Sequence, residues 1–600
     1  MNRHINFFLM AVASLMAAAC SGSSDDYNWN YTGQGYNPTT LPSGGTSTGS
    51  SSVDAEDLTS FTIEVDSTNL SENDATPSES DSHYEDYVET ETFKSTITIT
   101  YNGSTATKSG DDNNLVSISG ADVTATPTTK AIYILKGSTS EGSFRINDNE
   151  SAKKSQIQLD GVNITNSDGP AINIQSGKRT YIVANEGTFN SFTDGSSYAS
   201  SNEDQKATIF SEGELLFSGK GHIKVNSNAK NGIVSDDYVF IRPNTNLYIK
   251  STSGNGIKGK DALIVKGGVI NIEVSANASK GLSTDGYYQQ DGGRVTAITS
   301  GEGEYDSEDQ DVSACAGLKA DSVININGGI LKTKSTGKGG KGISTDQIFN
   351  MNNGQVYVIT TGTTYTYSSR LDSKPKGIKA DGNININGGT ILVRATGDSG
   401  SEGIESKNIL TINDGTVKVS SYDDAINSAS HMYVKGGTVE VYASNNDGLD
   451  SNGNMFIQGG TVYAYGGGSP EEGLDANTEG GYKLYITGGT VFGIGGGATG
   501  VSSTDGSQPA ALLTGSITSG NTISLQDGSS TLFSFKANKT YSNATILVSA
   551  PGMSTGTTYT LYNGSNSVGS ASAALTTSSS MGGGMGGPGG MGGGGFPGRW

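Results

Sequence analysis

The sequence predicts an all-β solenoid of short stacked strands, and three observations predict it. The tetrads Glu402-Gly403-Ile404-Glu405, Asp424-Ala425-Ile426-Asn427, Asp447-Gly448-Leu449-Asp450 and Glu472-Gly473-Leu474-Asp475 recur at intervals of 22 to 25 residues. Each is followed by a short alternating strand and a turn of one type: Asp414 to Val417, Gly436 to Val439, Gly459 to Val462, Gly488 to Val491. The same small-apolar step can be followed back through Ile378, Ile343, Leu318, Leu282, Ile257 and Ile233. A fixed period of this size marks a solenoid, in which each repeat buries its apolar side chains only by stacking on its neighbours.

Composition agrees. Hydrophobic residues make up 33% of the chain and glycine 87 of 600 residues, which suits many short strands joined by tight turns. The formal charge of −22 argues against a nucleic-acid partner, because binding phosphates takes a basic patch. An anionic ligand would need a cation between it and this protein. The two cysteines, Cys20 and Cys315, leave no disulfide framework and no thiolate metal site once Cys20 is assigned to export.

Taken in order, residues 1–20 read as a lipoprotein signal peptide. Arg3 and His4 head an apolar run from Ile5 to Met16, too short to span a membrane, and Ala17-Ala18-Ala19-Cys20 closes it. Small residues before a cysteine resemble a lipobox, which makes Cys20 the lipidation site. Ser21 to Asp26 resembles the tether that sends lipoproteins to the outer face of the outer membrane. Residues 21–92 lack a sustained period and are rich in Gly, Ser, Thr, Asn, Asp and Glu, so a flexible acidic stalk is expected there.

Strands begin near Ser95, forming an N-terminal β segment, and the solenoid is expected over 93–500. Glycine before each apolar step suits a corner with positive φ. Two longer intervals mark loops pushed out of the stack, one holding Gly301 to Asp311 and the other Tyr365 to Asp372. Such loops on a rigid scaffold often carry binding function. Past Gly497 the period stops. Residues 501–577, with strands near Phe533, Ile546 and Tyr559, read as a β cap over the last open edge. Residues 578–600 form a Gly/Met tail that is expected to be disordered.

The segment Gly161-Val162-Asn163-Ile164-Thr165-Asn166-Ser167-Asp168-Gly169-Pro170-Ala171-Ile172 and the repeats after it resemble the secreted carbohydrate-binding domain-containing family. The resemblance runs from about Ser95 to Leu561. It implies a single-stranded, right-handed parallel β-helix of pectate-lyase-like shape. It also implies calcium as cofactor and acidic or cellulosic plant polysaccharide as ligand.

The tetrads change character along the chain. Early coils flank the Gly-apolar step with Asn231/Val234, Asn255/Lys258, Lys280/Ser283, Ala316/Lys319, Lys341/Ser344 and Lys376/Lys379. Late coils flank it with Glu402/Glu405, Asp424/Asn427, Asp447/Asp450 and Glu472/Asp475, reinforced by Asp423 and Glu471. Stacked at ~4.8 Å, like charges repel by roughly 1 kcal/mol in water and about 3–4 at an effective dielectric near 20. Calcium, which takes 6–8 oxygens at ~2.3–2.6 Å, suits such a ladder; zinc would call for His or Cys. These nine acids are the expected metal ligands.

Strand alternation also puts Tyr442, Tyr463 and Tyr465 on the outside, where flat rings would stack on sugars. The expected protein is thus a monomeric surface lipoprotein that binds polysaccharide through calcium. Two alternatives stand beside it. One is a polysaccharide lyase with Lys376 or Lys379 as base; the other is a structural fibre or adhesin. The histidines, four in all, fall in no hydrolase motif.

Overall fold

A computed structural model describes residues 62–65, 68–147, 152–528 and 530–579. Among these it is all-β apart from two single-turn 3-10 helices, Tyr84–Asp86 and Val88–Thr90. The chain winds as a β-solenoid in which each coil gives one strand to each of three faces. One coil runs Lys376–Ala380, Ile384–Ile386, Thr390–Ala395; the next repeats it as Glu402–Ser406, Leu410–Ile412, Thr416–Ser421. Each of these strands pairs in parallel with its counterpart one coil on. The first face, which carries the tetrads, holds 15 strands, so the stack is about fifteen coils high.

Inward side chains make the core. Ile233, Ile257, Leu282, Leu318, Ile343, Ile378, Ile404, Ile426, Leu449 and Leu474 lie in one register and are buried. Each such side chain is worth roughly 1.5–3 kcal/mol on leaving water.

The glycine before each of these residues has a different cause from the one expected. A Cβ at Gly403 would lie 2.1 Å from Val419 Cγ1 and 2.5 Å from the Ala425 carbonyl, so close packing demands it. Positive φ falls instead in the turn before the third face, at Gly389 (74°), Gly415 (98°), Gly437 (76°) and Gly460 (77°).

Both long intervals fold as antiparallel hairpins beside the first face. Glu304–Asp306 pairs with Asp311–Ser313, and Tyr365–Ser368 with Leu371–Ser373. Tyr305 and Tyr367 stack at 4.1 Å and join the two hairpins. Beneath them the half-buried Lys280 and Lys341 ammonium groups donate to Ser313 Oγ (3.0 Å) and Ser373 Oγ (2.7 Å). At the C-terminal end Tyr541–Ser549 lies antiparallel between the last coil strand, Thr490–Gly495, and Ala510–Ile517, which closes the edge.

Cys20 and most of the expected tail and stalk lie outside the described residues. The described part of the expected stalk, residues 62–65 and 68–92, is a packed strap, not a free spacer. Ile63 is buried against Tyr357, Ile359 and Leu392 on the third face. Glu72 accepts the backbone N–H of Asn244, Gly268 and Gly293, bridging the turns of successive coils. Arg242 then holds Asp74 (3.0 Å) and Glu89 (2.7 Å) and lies over the Tyr87 ring. Glu91 closes the strap on Lys154 (2.6 Å) and Lys130. Acids that looked like solvated spacer meet cations supplied by distant coils, and that pairing is invisible in local composition.

Candidate functional site

The first face is one outward surface with two flanking rows. In one row Lys379, Glu405, Asn427, Asp450 and Asp475 follow each other in register. The other row holds the residues just before the Gly-apolar step: Lys376 opposite Glu402, then Asp424, Asp447 and Glu472. The late-coil acids do therefore collect on one side of the molecule, as their spacing required.

They divide into two sets. At the lower end Lys376 Nζ reaches Glu402 (2.6 Å) and Glu405 (3.4 Å), and Lys407 adds a second cation to Glu405 (2.5 Å). Burial pushes Glu405 upward, but Lys376 and Lys407 outweigh it and hold the carboxyl below its ordinary range. Glu402, more strongly desolvated, is raised to about 7. Lysine thus does at this end what a metal ion was expected to do. Lys376 is buried in that cluster and Lys379 pairs with Asp381 (2.5 Å), so both are engaged and neither stands ready as a lyase base.

Higher up, among the described residues, no lysine or arginine forms an ion pair with Asp424, Asp447, Asp450, Glu472 or Asp475. Asp424 Oδ1 accepts the Asp447 N–H (3.0 Å), and Asp447 Oδ1 accepts the Glu472 N–H (2.5 Å). Asn427 Nδ2 donates to Asp450 (2.7 Å) and Asp424 (3.2 Å), and Thr499 donates to Asp475 (3.1 Å). Those neutral donors leave the charge uncompensated. Burial first, then the neighbouring acids, raise Asp447 to about 9 and Asp450 to about 8. Burial raises Glu472 to about 8 and Asp424 to about 6, and pushes Asp475 and Glu471 upward as well. Glu472 Oε2 is buried with no hydrogen-bond partner, as are Glu402 Oε2 and Glu405 Oε2 at the lysine end.

The chemistry of this set suits a hard cation. It is all oxygen, one oxygen is buried and unpartnered, and the acids are driven toward protonation when no cation is near. Its carboxylates are splayed, however. Among the described residues the trio whose carboxylate oxygens come within 4.8 Å of one another is Asp204, Glu212 and Asp236, in early coils, where Lys206 pairs with Asp204 (3.0 Å) and Asp236. Asp423 sits at the rim and accepts from Asn446 Nδ2 (2.8 Å).

The expected aromatic strip is corrected. Tyr463 and Tyr465 are 5% and 2% exposed, packed under the cap against Phe535 and Tyr541, and Lys539 covers the Tyr442 ring at 4.1 Å. The hydrophobic cap shields these rings from any glycan. A row that the sequence reading passed over, Tyr433, Phe456 and Tyr485, lies half-exposed on the second face. Its rings stack at 4.9 and 5.1 Å and nearly parallel, so they turn their faces to one another and their edges outward. The period-two alternation of Met432–Val434, Met455–Ile457 and Leu484–Ile486 was the signal that could have found it.

A family model described as carbohydrate-binding domain-containing protein matches residues 119–425 and 399–587, well over half of the chain. A carbohydrate-binding domain-containing protein of Acetivibrio thermocellus is 32% identical over 109 residues, which are 18% of this chain and 38% of that relative. A solved structure, the gadolinium derivative of a polysaccharide lyase-like protein from C. thermocellum, is 21% identical with a TM-score of 0.34, over 48% of this chain and 96% of that one.

Proposed function

The chain belongs to the carbohydrate-binding domain-containing family, and on that footing we propose that it is a surface lipoprotein that binds an acidic polysaccharide through calcium. Cys20 would carry the lipid that holds it on the outer membrane. Asp447, Asp450, Glu472 and Asp475, with Asp424 below them, would hold the ion. Glu402 and Glu405 leave this set because Lys376 and Lys407 already neutralise them. A bound calcium supplies positive charge that sugar carboxylates can share; the protein acids fix its place on a rigid face.

The observation that carries this reading is the buried row of Asp447, Asp450 and Glu472, which lacks the lysine partners that Glu402 and Glu405 have and whose acids are pushed up to about 8 and 9. A groove of this kind is hard to keep ionised without a divalent ion, and the ion reconciles an acidic protein with an acidic ligand. The test is retention on polygalacturonate beads in millimolar calcium and in EDTA, with wild type and Asp447→Asn/Glu472→Gln. Retention should need calcium and should be lost in the double variant. Equal retention in EDTA would refute the calcium bridge.

A further inference from the structure

Among the described residues Lys154, Lys206, Lys319 and Lys376 each reach two carboxylates. Lys154 meets Glu85 and Glu91, Lys206 meets Asp204 and Asp236, and Lys319 meets Asp321 and Asp346. Those three clusters stand open to water, since the side chains of Glu85, Asp204 and Asp346 are 68%, 58% and 50% exposed. Lys376 with Glu402 and Glu405 differs. Its three side chains are 7%, 12% and 4% exposed, so a lysine and two acids share a place nearly closed to water.

The hydrogen bonds of that place are incomplete. Lys376 Nζ lies 2.6 Å from Glu402 Oε1 and 3.4 Å from Glu405 Oε1, while Oε2 of each acid is buried without a partner. Lys407 holds Glu405 from another side at 2.5 Å. Glu405 therefore has a cation of its own, and Lys376 is left to Glu402. The backbone fixes their approach, because Lys376 and Glu402 are opposite one another in the parallel ladder of two successive coils.

We propose that Lys376 and Glu402 condense to an isopeptide bond, a covalent tie between these two coils. The ammonium first passes a proton to Glu402. A neutral amine then faces a neutral carboxylic acid, which is the cheaper pair to keep where water is excluded. The amine nitrogen attacks the Glu402 carboxyl carbon. That carbon lies one C–O bond beyond an oxygen already at 2.6 Å, near the ~3–3.5 Å of a near-attack pair. Glu405 accepts the proton that the nitrogen sheds as the C–N bond forms and returns it to the Glu402 hydroxyl, which leaves as water. Amine and acid give amide and water, with no oxidant or cofactor, and Glu405 ends as it began, a carboxylate on Lys407. A buried cluster of two cations and two anions becomes one ion pair and one amide. The bond locks the lysine-bearing coils of the first face to the acid-bearing ones, and it depends neither on calcium nor on a glycan.

The test is mass spectrometry of a tryptic digest of the folded full chain. Wild type should yield a branched peptide joining residues 371–379 to residues 395–407, lighter than the two together by one water and uncut after Lys376. Glu402→Gln should give the same branch with loss of one ammonia in place of water. Lys376→Arg, which keeps the charge, and Glu405→Gln, which removes the proton carrier, should give only linear peptides. Linear peptides alone from wild type overturn the proposal, whatever the variants do to folding. So does a loss of water that maps to another place, such as a succinimide at Asp414-Gly415, or that persists in Lys376→Arg. Retention on polygalacturonate decides the calcium groove and leaves this bond untouched, so the two can fail separately.

Discussion

Asn231 and Asp424 occupy the same place in their coils, and their side-chain oxygens do the same thing. Asn231 Oδ1 accepts the Asn255 N–H (2.8 Å) and Asn255 Oδ1 accepts the Lys280 N–H (2.7 Å). Asp424 and Asp447 accept the corresponding N–H one coil on at 3.0 and 2.5 Å. An amide is therefore enough to tie one coil to the next. The late coils use carboxylates for a bond that does not need charge, in a place where burial penalises charge. What the difference teaches is that the late acids are not explained by the fold they help to hold.

The largest effect should come from the point where the two regimes meet. Lys376→Met would strand Glu402 and Glu405 in a buried cluster with only the half-exposed Lys407 beside them. Removing one partner of a buried pair costs about 3–5 kcal/mol. A urea titration should show that loss, and calcium should restore little of it if lysine and metal serve separate sets. Full recovery in calcium would erase the boundary drawn here.

Calcium itself should come next. An ion held at a hundred times its dissociation constant stabilises the folded chain by about 2.7 kcal/mol. Thermal scans with and without calcium should show a Tm several degrees higher with it, and Asp447→Asn/Asp450→Asn/Glu472→Gln should show no such response. In EDTA at pH 8 the same triple variant should melt above wild type, because neutral groups keep the backbone bonds and drop the repulsion. A triple variant that melts lower in EDTA would mean that the charges are structural.

The pH response follows from the raised carboxyls. A group whose folded pKa exceeds its unfolded value stabilises below the unfolded pKa and loses that contribution as pH rises through the folded one. For Asp447, raised to about 9, and Asp450 and Glu472, raised to about 8, the window runs from near pH 4 to pH 9. In EDTA stability, and with it the Tm, should climb as pH falls from 9 to 6, each of the three carboxyls adding about 1.4 kcal/mol per pH unit below its folded pKa. In calcium the slope should flatten. A slope of the opposite sign would place a cation, not a proton, at these acids in the chelated protein.

How much of this was legible in the sequence depended on whether a feature repeats. The ladder from Ile233 to Leu474 was readable because a fixed period turns chain distance into spatial distance, so one register places every coil. The gathering of Asp424, Asp447, Asp450, Glu472 and Asp475 followed from the same arithmetic. What does not repeat was not readable. Nothing near Tyr463 announces that Phe535 covers it, and nothing near Glu72 announces that Asn244, Gly268 and Gly293 will donate to it. Lys407 lies two residues after Glu405, yet its pairing depends on a side-chain direction that the period leaves open. Even the glycine row was placed correctly for the wrong reason, since a close approach to Val419 leaves the same residue in the sequence as a positive φ would.

The smallest effect is the reverse exchange. Asn255→Asp keeps the oxygen that accepts the Lys280 N–H, and its new charge enters a groove whose four lysines, Lys206, Lys230, Lys258 and Lys260, outnumber its two acids, Asp236 and Asp285. Those lysines should compensate most of it, so the cost should stay within about 0.5 kcal/mol, the usual range for an isolated surface change. Calcium should leave its Tm unmoved, because the carboxylates beside it, Asp236 and Asp285, are already paired with Lys206 and Lys258. If instead a single acid at 255 conferred a calcium response, the position before the glycine would bind the ion by itself. The late-coil cluster would then lose its claim to be a distinct site, since any acid in that row would serve.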